Sequence, residues 1–541
     1  MKPGSEKKII NLLLIVCLSL GFISLVVVYL PDKIQGQEQK IKKEPQPKRL
    51  SDLLPQRSAT EAKKDVELAQ GIIYSRFVPE PKPEQIQKDA ETQTTQTVVV
   101  PANATVQNKV HAVSSLTNNK RPSISYQFKT PIALEPDVTF WKYIYTKYDS
   151  HQEVFHDPRY LNIIYSVLDF KHIDNNQDLT EFERQEKRKD FIEAEKERIL
   201  VILKKLQQEI LEDKLTAKEK HIQRLFSTIS EQAKFANAIE RGVRAQTGQS
   251  DKFLAGLKYS GRYLGEMETI FEIEGLPREL TRLVFVESMF NPDAHSAVGA
   301  KGFWQFMKAT GKIHDLNINS LVDERADPIH STYAATRLLK KNYEELDSWP
   351  LAINAYNAGL GRLKQARKTM GTSNITTIVR NFKHPAYGFA SRDFYMEFLA
   401  ALEIVENYEK YFGKIAFDQP LRYDVIKLNR PILLKQLSQD CNVPSEQIAE
   451  FNPGLRDNVI YGTKHLPAYY ELKLPEKTGN ACLTQAYNAP TVTQLWHVVE
   501  NGETVKDIAR LYGLSQERLL EINNHLNKHK QLRPGQKIKI Y

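Results

Sequence analysis

The sequence predicts a multidomain, mainly α-helical chain that ends in two small α+β modules. Three observations carry this. The 541 residues are 41% apolar and 26% charged, enough for several packed cores rather than one. Apolar residues recur at helical spacing through much of 180–412, as in Ile199, Leu203, Leu206 and Ile210. Near the end, VPSEQIAEFN at 443–452 returns as LSQERLLEIN at 514–523, an offset of 71 residues. Each copy runs apolar, Ser or Pro, acid, apolar, with Asn last, so the tail holds an internal repeat.

Taken in order, residues 1–8 carry lysines and read as a cytoplasmic tail. Ile9 to Leu30 is an uncharged, almost wholly apolar run, long enough to span a bilayer of about 20 helical residues. A cleaved signal would have a shorter apolar core and a small-residue exit, whereas this run leaves through Val27-Val28-Tyr29-Leu30-Pro31. The expectation is a single-pass inner-membrane anchor with the bulk of the chain on the periplasmic side. Residues 31–125, rich in Gln, Lys, Pro, Thr and Ser, read as a disordered linker with a reach of roughly 55 Å.

Residues 126–250 form an accessory region, read as helical. It opens with Trp141, Tyr143 and Tyr145. Tyr160 to Tyr165 has strand-like composition, and a charged helix is expected over about Thr180 to Leu211. The basic run Lys187-Arg188-Lys189 and the net charge of +9 admit a nucleic-acid reading, but interspersed acids make this a solvated helix face. No nucleic-acid motif is present. In the tail, Tyr423 to Leu428 reads as a strand, Ile432 to Gln439 as a helix, and Leu495 to Val499 and Lys537 to Tyr541 as strands. Cys441 and Cys482 bracket the first copy. Outside the cytoplasm they are expected to pair, closing a loop of about 40 residues; the alternative is two buried free thiols. His295, His330 and His384 form no metal-ligand cluster, and neither metal nor cofactor is expected.

Chemistry concentrates in 251–415. In PRELTRLVFVESMFNP (277–292), Pro277 suits a first helical turn, and Leu280, Leu283, Val284 and Glu287 stand at i, i+3, i+4 and i+7. The stripe carries Glu287 toward the interior, where desolvation raises a carboxyl pKa into the range a general acid needs. A structural glutamate paired to an arginine would have the same spacing.

After Glu287-Ser288 come Gly299-Ala300, Gly302-Phe303-Trp304-Gln305-Phe306-Met307 and Ala355-Tyr356-Asn357-Ala358-Gly359. These three ordered blocks resemble the Slt-type lytic transglycosylases of glycoside hydrolase family 23, with a goose-type, lysozyme-like α-rich fold. The order of accessory region and tail resembles the membrane-bound murein transglycosylase D group. The resemblance implies non-hydrolytic cleavage of the MurNAc–GlcNAc β-1,4 bond of peptidoglycan, leaving 1,6-anhydro-MurNAc ends. It makes Glu287 the acid and then the base, with Ser288 positioning it. Gln305, Met307, Tyr356 and Asn357 would contact sugar, and Phe303 and Trp304 are equally core or platform. The tail resembles LysM modules, which bind N-acetylglucosamine-containing glycans. The copy at 494–541 matches well, with Gly502, Glu503, Thr504 and Asn523 as glycan-binding candidates. The copy at 420–478 lacks the Gly-Glu-Thr turn and is divergent.

One block departs from the family. Where a Glu-Thr-Arg-x-Tyr run is common, this chain has Ala390-Ser391-Arg392-Asp393-Phe394, then Tyr395. Tyr395 is carried as a substrate-contact candidate, although one residue turns a helical side chain by about 100°. Two alternatives stay open: a non-catalytic peptidoglycan-binding scaffold, and a water-using lysozyme with Asp293 or Asp327 as its second carboxylate.

Overall fold

The computed structural model describes residues 128–208, 211–428, 431–462, 464–467, 470–482, 495–512, 514–526 and 532–540. The expected span at 9–30 and linker at 31–125 lie outside the described residues. Among those described, no helix is long and apolar enough to cross a membrane.

The body is a helical bundle around the helix Phe389–Glu406. Every residue from Asp393 to Leu402 is buried, so this helix is enclosed on all sides rather than amphipathic. It packs against Glu135–Thr146, Trp349–Ala358 and Leu283–Ser288. One core joins Phe128, Phe140, Trp141 and Tyr145 to Phe253, Phe285, Trp304, Ile353 and Phe398. The accessory region therefore enters the main core ahead of residue 250.

That region is mixed rather than wholly helical. Gln152–His156 is the centre of a three-stranded antiparallel sheet, flanked by Ile164–Asp169 and Arg244–Thr247. Successive strand residues face opposite sides. Val154 enters the main core, while Phe155 enters a second core with Ile199, Leu203 and Phe226. Of the strand-like run at 160–165, the first four residues form a turn and only the end is strand. The charged helix spans Glu181–Gln207, started by a Thr180–Glu183 capping box and ending earlier than expected. Arg188 in its basic run is committed to Asp174 at 2.8 Å and to Glu153.

The two tail modules share a plan. In the first, Tyr423–Lys427 pairs with Glu471–Pro475, and Ile432–Leu433 pairs with His465–Leu466, so the expected helix starts only at Leu434. In the second, Trp496–Val498 pairs with Lys537–Lys539 around the helices Val505–Leu511 and Gln516–Ile522. Each has the same asparagine lock. Asn452 bonds the carbonyls of Ile448 and Lys473 and the amide of Lys473. Asn523 does the same with Leu519 and Lys539. Cys441 and Cys482 form a disulfide.

Candidate active site

Glu287 lies at the C-terminal end of a short helix that threads the core. The expected amphipathic stripe is absent: Arg278–Arg282 is a 3-10 turn, Leu283–Ser288 is α-helical, and every residue from Leu280 to Val286 is buried. A segment buried on every side is a core element, and Glu287 is where it surfaces, half-buried. Met289 and Phe290 then both adopt left-handed backbone (φ 52° and 54°), turning the chain sharply away. Gly256 makes the corner fit, since a Cβ there would sit 1.9 Å from the Met289 carbonyl oxygen.

Burial pushes the Glu287 carboxyl up to about 8, with no cation opposing it. Tyr145, Tyr356 and Glu397 all sense its charge. Tyr356 donates its hydroxyl to the Trp304 carbonyl at 2.8 Å, tying the Ala355–Gly359 block to the Gly302–Met307 block. Gln305 has positive φ (46°), and its Nε2 donates to the carbonyls of Ala294 (3.1 Å) and Gly302 (2.8 Å). Its Oε1 stays available as an acceptor. Arg325 clamps the same hairpin from behind, donating to the carbonyls of Gly299 (2.8 Å) and Phe306 (3.1 Å). Met307 is exposed at the hairpin's exit. Asn357 is exposed and accepts from Ser391 Oγ at 2.7 Å.

Other expected site residues are placed differently. Ser288 is 1% exposed and donates to its own helix at Val284 O (3.2 Å), so its side chain is spent there and does not orient Glu287. Tyr395 is buried and stacks on Phe398, while Phe394 lies parallel to Tyr356 with centroids 6.3 Å apart. The one-residue shift thus turns the tyrosine into the core and leaves a hydrocarbon ring beside Tyr356. Trp304 and Phe303 are core; Trp304 stacks on Phe271 and donates Nε1 to Thr332. Asp327 belongs to the junction with the first tail module, where it pairs with Lys473 at 2.6 Å.

In the C-terminal module, Asn523 is 1% exposed and locks the closing strand, which removes it as a glycan contact. Glu503 accepts from the Glu500 amide and bonds His497 Nε2 at 2.7 Å. Thr504 forms a capping box with Asp507. Gly502 (φ 84°) and Thr504 remain at the surface, as do Trp496 and Val498.

Three side chains went unnoticed in the sequence. Glu397 is 4% exposed and accepts from the Tyr145 hydroxyl at 3.2 Å. Burial drives its carboxyl well above the usual range, and the charges of Asp393 and Glu287 add to this. Asp393, one turn earlier, is pushed up to about 7, chiefly by burial. Two acids four residues apart, Asp393 just before the apolar run from Phe394 to Leu402 and Glu397 inside it, were the available signal. Arg325 was the third, visible only as part of Asp323-Glu324-Arg325.

Comparison with known proteins covers both regions. Residues 268–379 match the transglycosylase SLT domain family, and residues 497–540 match the LysM domain family. The chain is 26% identical over 277 residues to membrane-bound lytic murein transglycosylase D of Escherichia coli strain K12. The same protein of Escherichia coli O6:H1 gives the same identity over the same length. Each alignment covers 49% of this chain and 60% of the relative, so the chain spans about three fifths of those relatives' length. Residues 268–379 are thus a transglycosylase SLT domain and residues 497–540 a LysM domain, in a chain similar to membrane-bound lytic murein transglycosylase D.

Proposed function

We propose that the protein is a lytic transglycosylase acting on peptidoglycan glycan strands, with Glu287 as its single acid–base group. The observation that carries this is the Glu287 carboxyl itself, at the end of the core helix Leu283–Ser288, unpaired, and pushed up to about 8. Such a group is protonated at neutral pH and can give its proton to the leaving glycosidic oxygen. As C1 loses the leaving group, the resulting carboxylate takes the proton of the C6 hydroxyl of the same MurNAc. O6 closes onto C1 and yields a 1,6-anhydro end. Since the nucleophile is intramolecular, the second carboxylate that hydrolytic glycosidases need is dispensable. Gln305 Oε1 would accept from a sugar hydroxyl or amide. Tyr356, Asn357 and Met307 would line the subsites on either side.

The 494–541 module would hold the enzyme on the wall through the surface at Gly502 and Thr504, with Trp496 and Val498 exposed nearby. Tethering raises local glycan concentration without adding chemistry. The apolar run at 9–30 would anchor the chain in the inner membrane, with the catalytic unit facing the periplasm. Of the carboxylates proposed for hydrolysis, Asp327 is unsuited, since its oxygens are occupied by Lys473 and by the helix start at Ile329 and His330.

Product mass is the test. Full-length protein and Glu287→Gln are incubated with purified sacculi. The expected result is muropeptides one water lighter than hydrolytic products, reduced with the variant by about 10²–10⁴-fold, the usual contribution of a general acid. Reducing-end products would make the enzyme a lysozyme. Absence of any product, with sacculus binding intact, would leave the scaffold reading.

A further inference from the structure

The first tail module is joined to the helical body through buried polar contacts that end at the substrate hairpin. Leu321 and Val322, which belong to the SLT domain, lie in the same apolar cluster as Ile426, Leu434, Ile448 and Leu472 of the module. Around them the backbone is shared. Asp323 N donates to Gly454 O at 2.7 Å, and Arg456 N donates to Leu321 O at 3.0 Å. Arg456 Nε reaches Asn319 O at 2.6 Å, and Asn458 Nδ2 reaches Ser320 O at 2.9 Å.

Two charge contacts fix the 323–327 turn within this junction. Lys473, 5% exposed, pairs with Asp327, which is 2% exposed and caps the helix Pro328–Leu346. Arg456 lies 3.3 Å from Asp323. Asp323 in turn grips Arg325 through both carboxylate oxygens at 2.9 Å. Arg325 is the residue that clamps the carbonyls of Gly299 and Phe306. Its own carbonyl lies so close to Gly302 that a Cβ there would approach to 1.8 Å. The path from module to cleft is therefore continuous: Lys473 and Arg456, Asp327 and Asp323, Arg325, then the hairpin that presents Gln305.

We propose that Lys473 and Arg456 are positioning residues for the cleft, and that the first module braces the substrate hairpin rather than binding glycan. The proposal rests on the transglycosylase reading above. The asparagine locks show where the two modules differ. Lys473 and Lys539 occupy the same place, each giving its amide to the locking asparagine. In the C-terminal module that lysine is half-buried, whereas in the first it runs into the junction and neutralises Asp327. Burying a Lys–Asp pair is tolerable only with good geometry and further hydrogen bonds. Asp327 has these, accepting from the amides of Ile329 and His330 at 2.9 Å.

The test compares full-length wild type with Lys473→Met, Lys473→Arg and Arg456→Gln. Turnover is measured on short soluble glycan fragments, binding on sacculi, and amide hydrogen exchange at Lys301 and Gln305. The two neutral variants should lower kcat/KM on soluble fragments about tenfold or more, since small misplacements of a site are costly. They should speed exchange at both amides and leave sacculus binding within twofold. Lys473→Arg should retain exchange protection. If Lys473→Met fails to fold, Arg456→Gln decides, its guanidinium being 37% exposed. Unchanged turnover and exchange in folded variants would overturn the proposal. So would weakened sacculus binding with turnover intact, which would make the module a glycan binder. Were wild type to give no anhydro product, the transglycosylase reading would fall, and the exchange measurement would still report on the brace.

Discussion

Glu287 and Asp327 are two sequestered carboxyls of one domain with opposite fates. Around Glu287 burial acts alone, and the carboxyl is pushed up to about 8. Around Asp327 burial would raise the pKa too, but the Lys473 ammonium and the His330 imidazole hold it well below the usual carboxylate range. A chain that can pair a buried acid so well at the module junction leaves another unpaired at the end of the helix Leu283–Ser288. Unpaired buried acids cost stability, so they persist where a proton has to be held and released. On the proposed function, the paired acid belongs to architecture and the unpaired one to chemistry.

Removing the pairing at the junction should have the largest effect on stability. Asp327→Asn leaves the Lys473 ammonium buried without its partner, and breaking such a pair costs about 3–5 kcal/mol. Denaturant unfolding of the full-length protein should show that loss. A loss under 1 kcal/mol would mean water reaches the junction and would erase the contrast with Glu287. The pair also predicts an acid limb. The Asp327 pKa is depressed in the fold, so its stabilisation is complete above the unfolded value near 4 and is lost as pH falls below it.

At Glu287 the sign is reversed. The acid form is needed first, so kcat/KM should fall as pH rises through about 8, approaching tenfold per unit. Tyr145 and Tyr356 share this environment, and neither is expected to ionise below pH 9, since burial drives both above the ordinary phenol range. A rate profile flat to pH 10 would remove Glu287 as the acid. The same shift costs stability, because the folded state holds a proton that the unfolded chain releases above about 4.3. Glu287→Gln should therefore raise stability at pH 8, by up to about 4–5 kcal/mol for release of the full shift. At pH 4.5 the gain should be close to nothing. Equal gains at both pH values would point to packing instead.

The sequence made these two acids hard to tell apart. Glu287 was found from its motif and from helical spacing, yet the spacing argument described an amphipathic helix that does not exist. Leu280 to Val286 are buried on every side because the segment threads the bundle, and with Thr281 and Arg282 as buried as their apolar neighbours no single inward-facing stripe remains. The repeat in the tail was legible because each module repeats a local pattern and its asparagine lock. The different use of the two copies was not. It depends on Asp323, Arg325 and Asp327 meeting Arg456 and Lys473 across more than 100 residues, and no local pattern encodes such a contact. The accessory sheet was missed for a related reason. Arg244–Thr247 is a short strand that exists only because Gln152–His156 lies beside it.

Phe394 offers the smallest and most local test. Its ring lies parallel to Tyr356, next to the tyrosine that senses the Glu287 charge. Tyr395 faces away, buried against Phe398. If a hydroxyl in the Phe394 place assists the reaction in relatives, Phe394→Tyr should restore it here without disturbing the backbone. The expected gain in kcat is a few-fold, less than the roughly 1.4 kcal/mol that a tenfold change represents. Tyr395→Phe should leave kcat and KM unchanged, because that ring has no access to the cleft. A reversed outcome, with Tyr395→Phe slowing turnover and Phe394→Tyr silent, would mean the helix Phe389–Glu406 rotates when substrate binds. The contrast between a pre-set cleft floor and a fixed junction would then have to be redrawn around a moving helix.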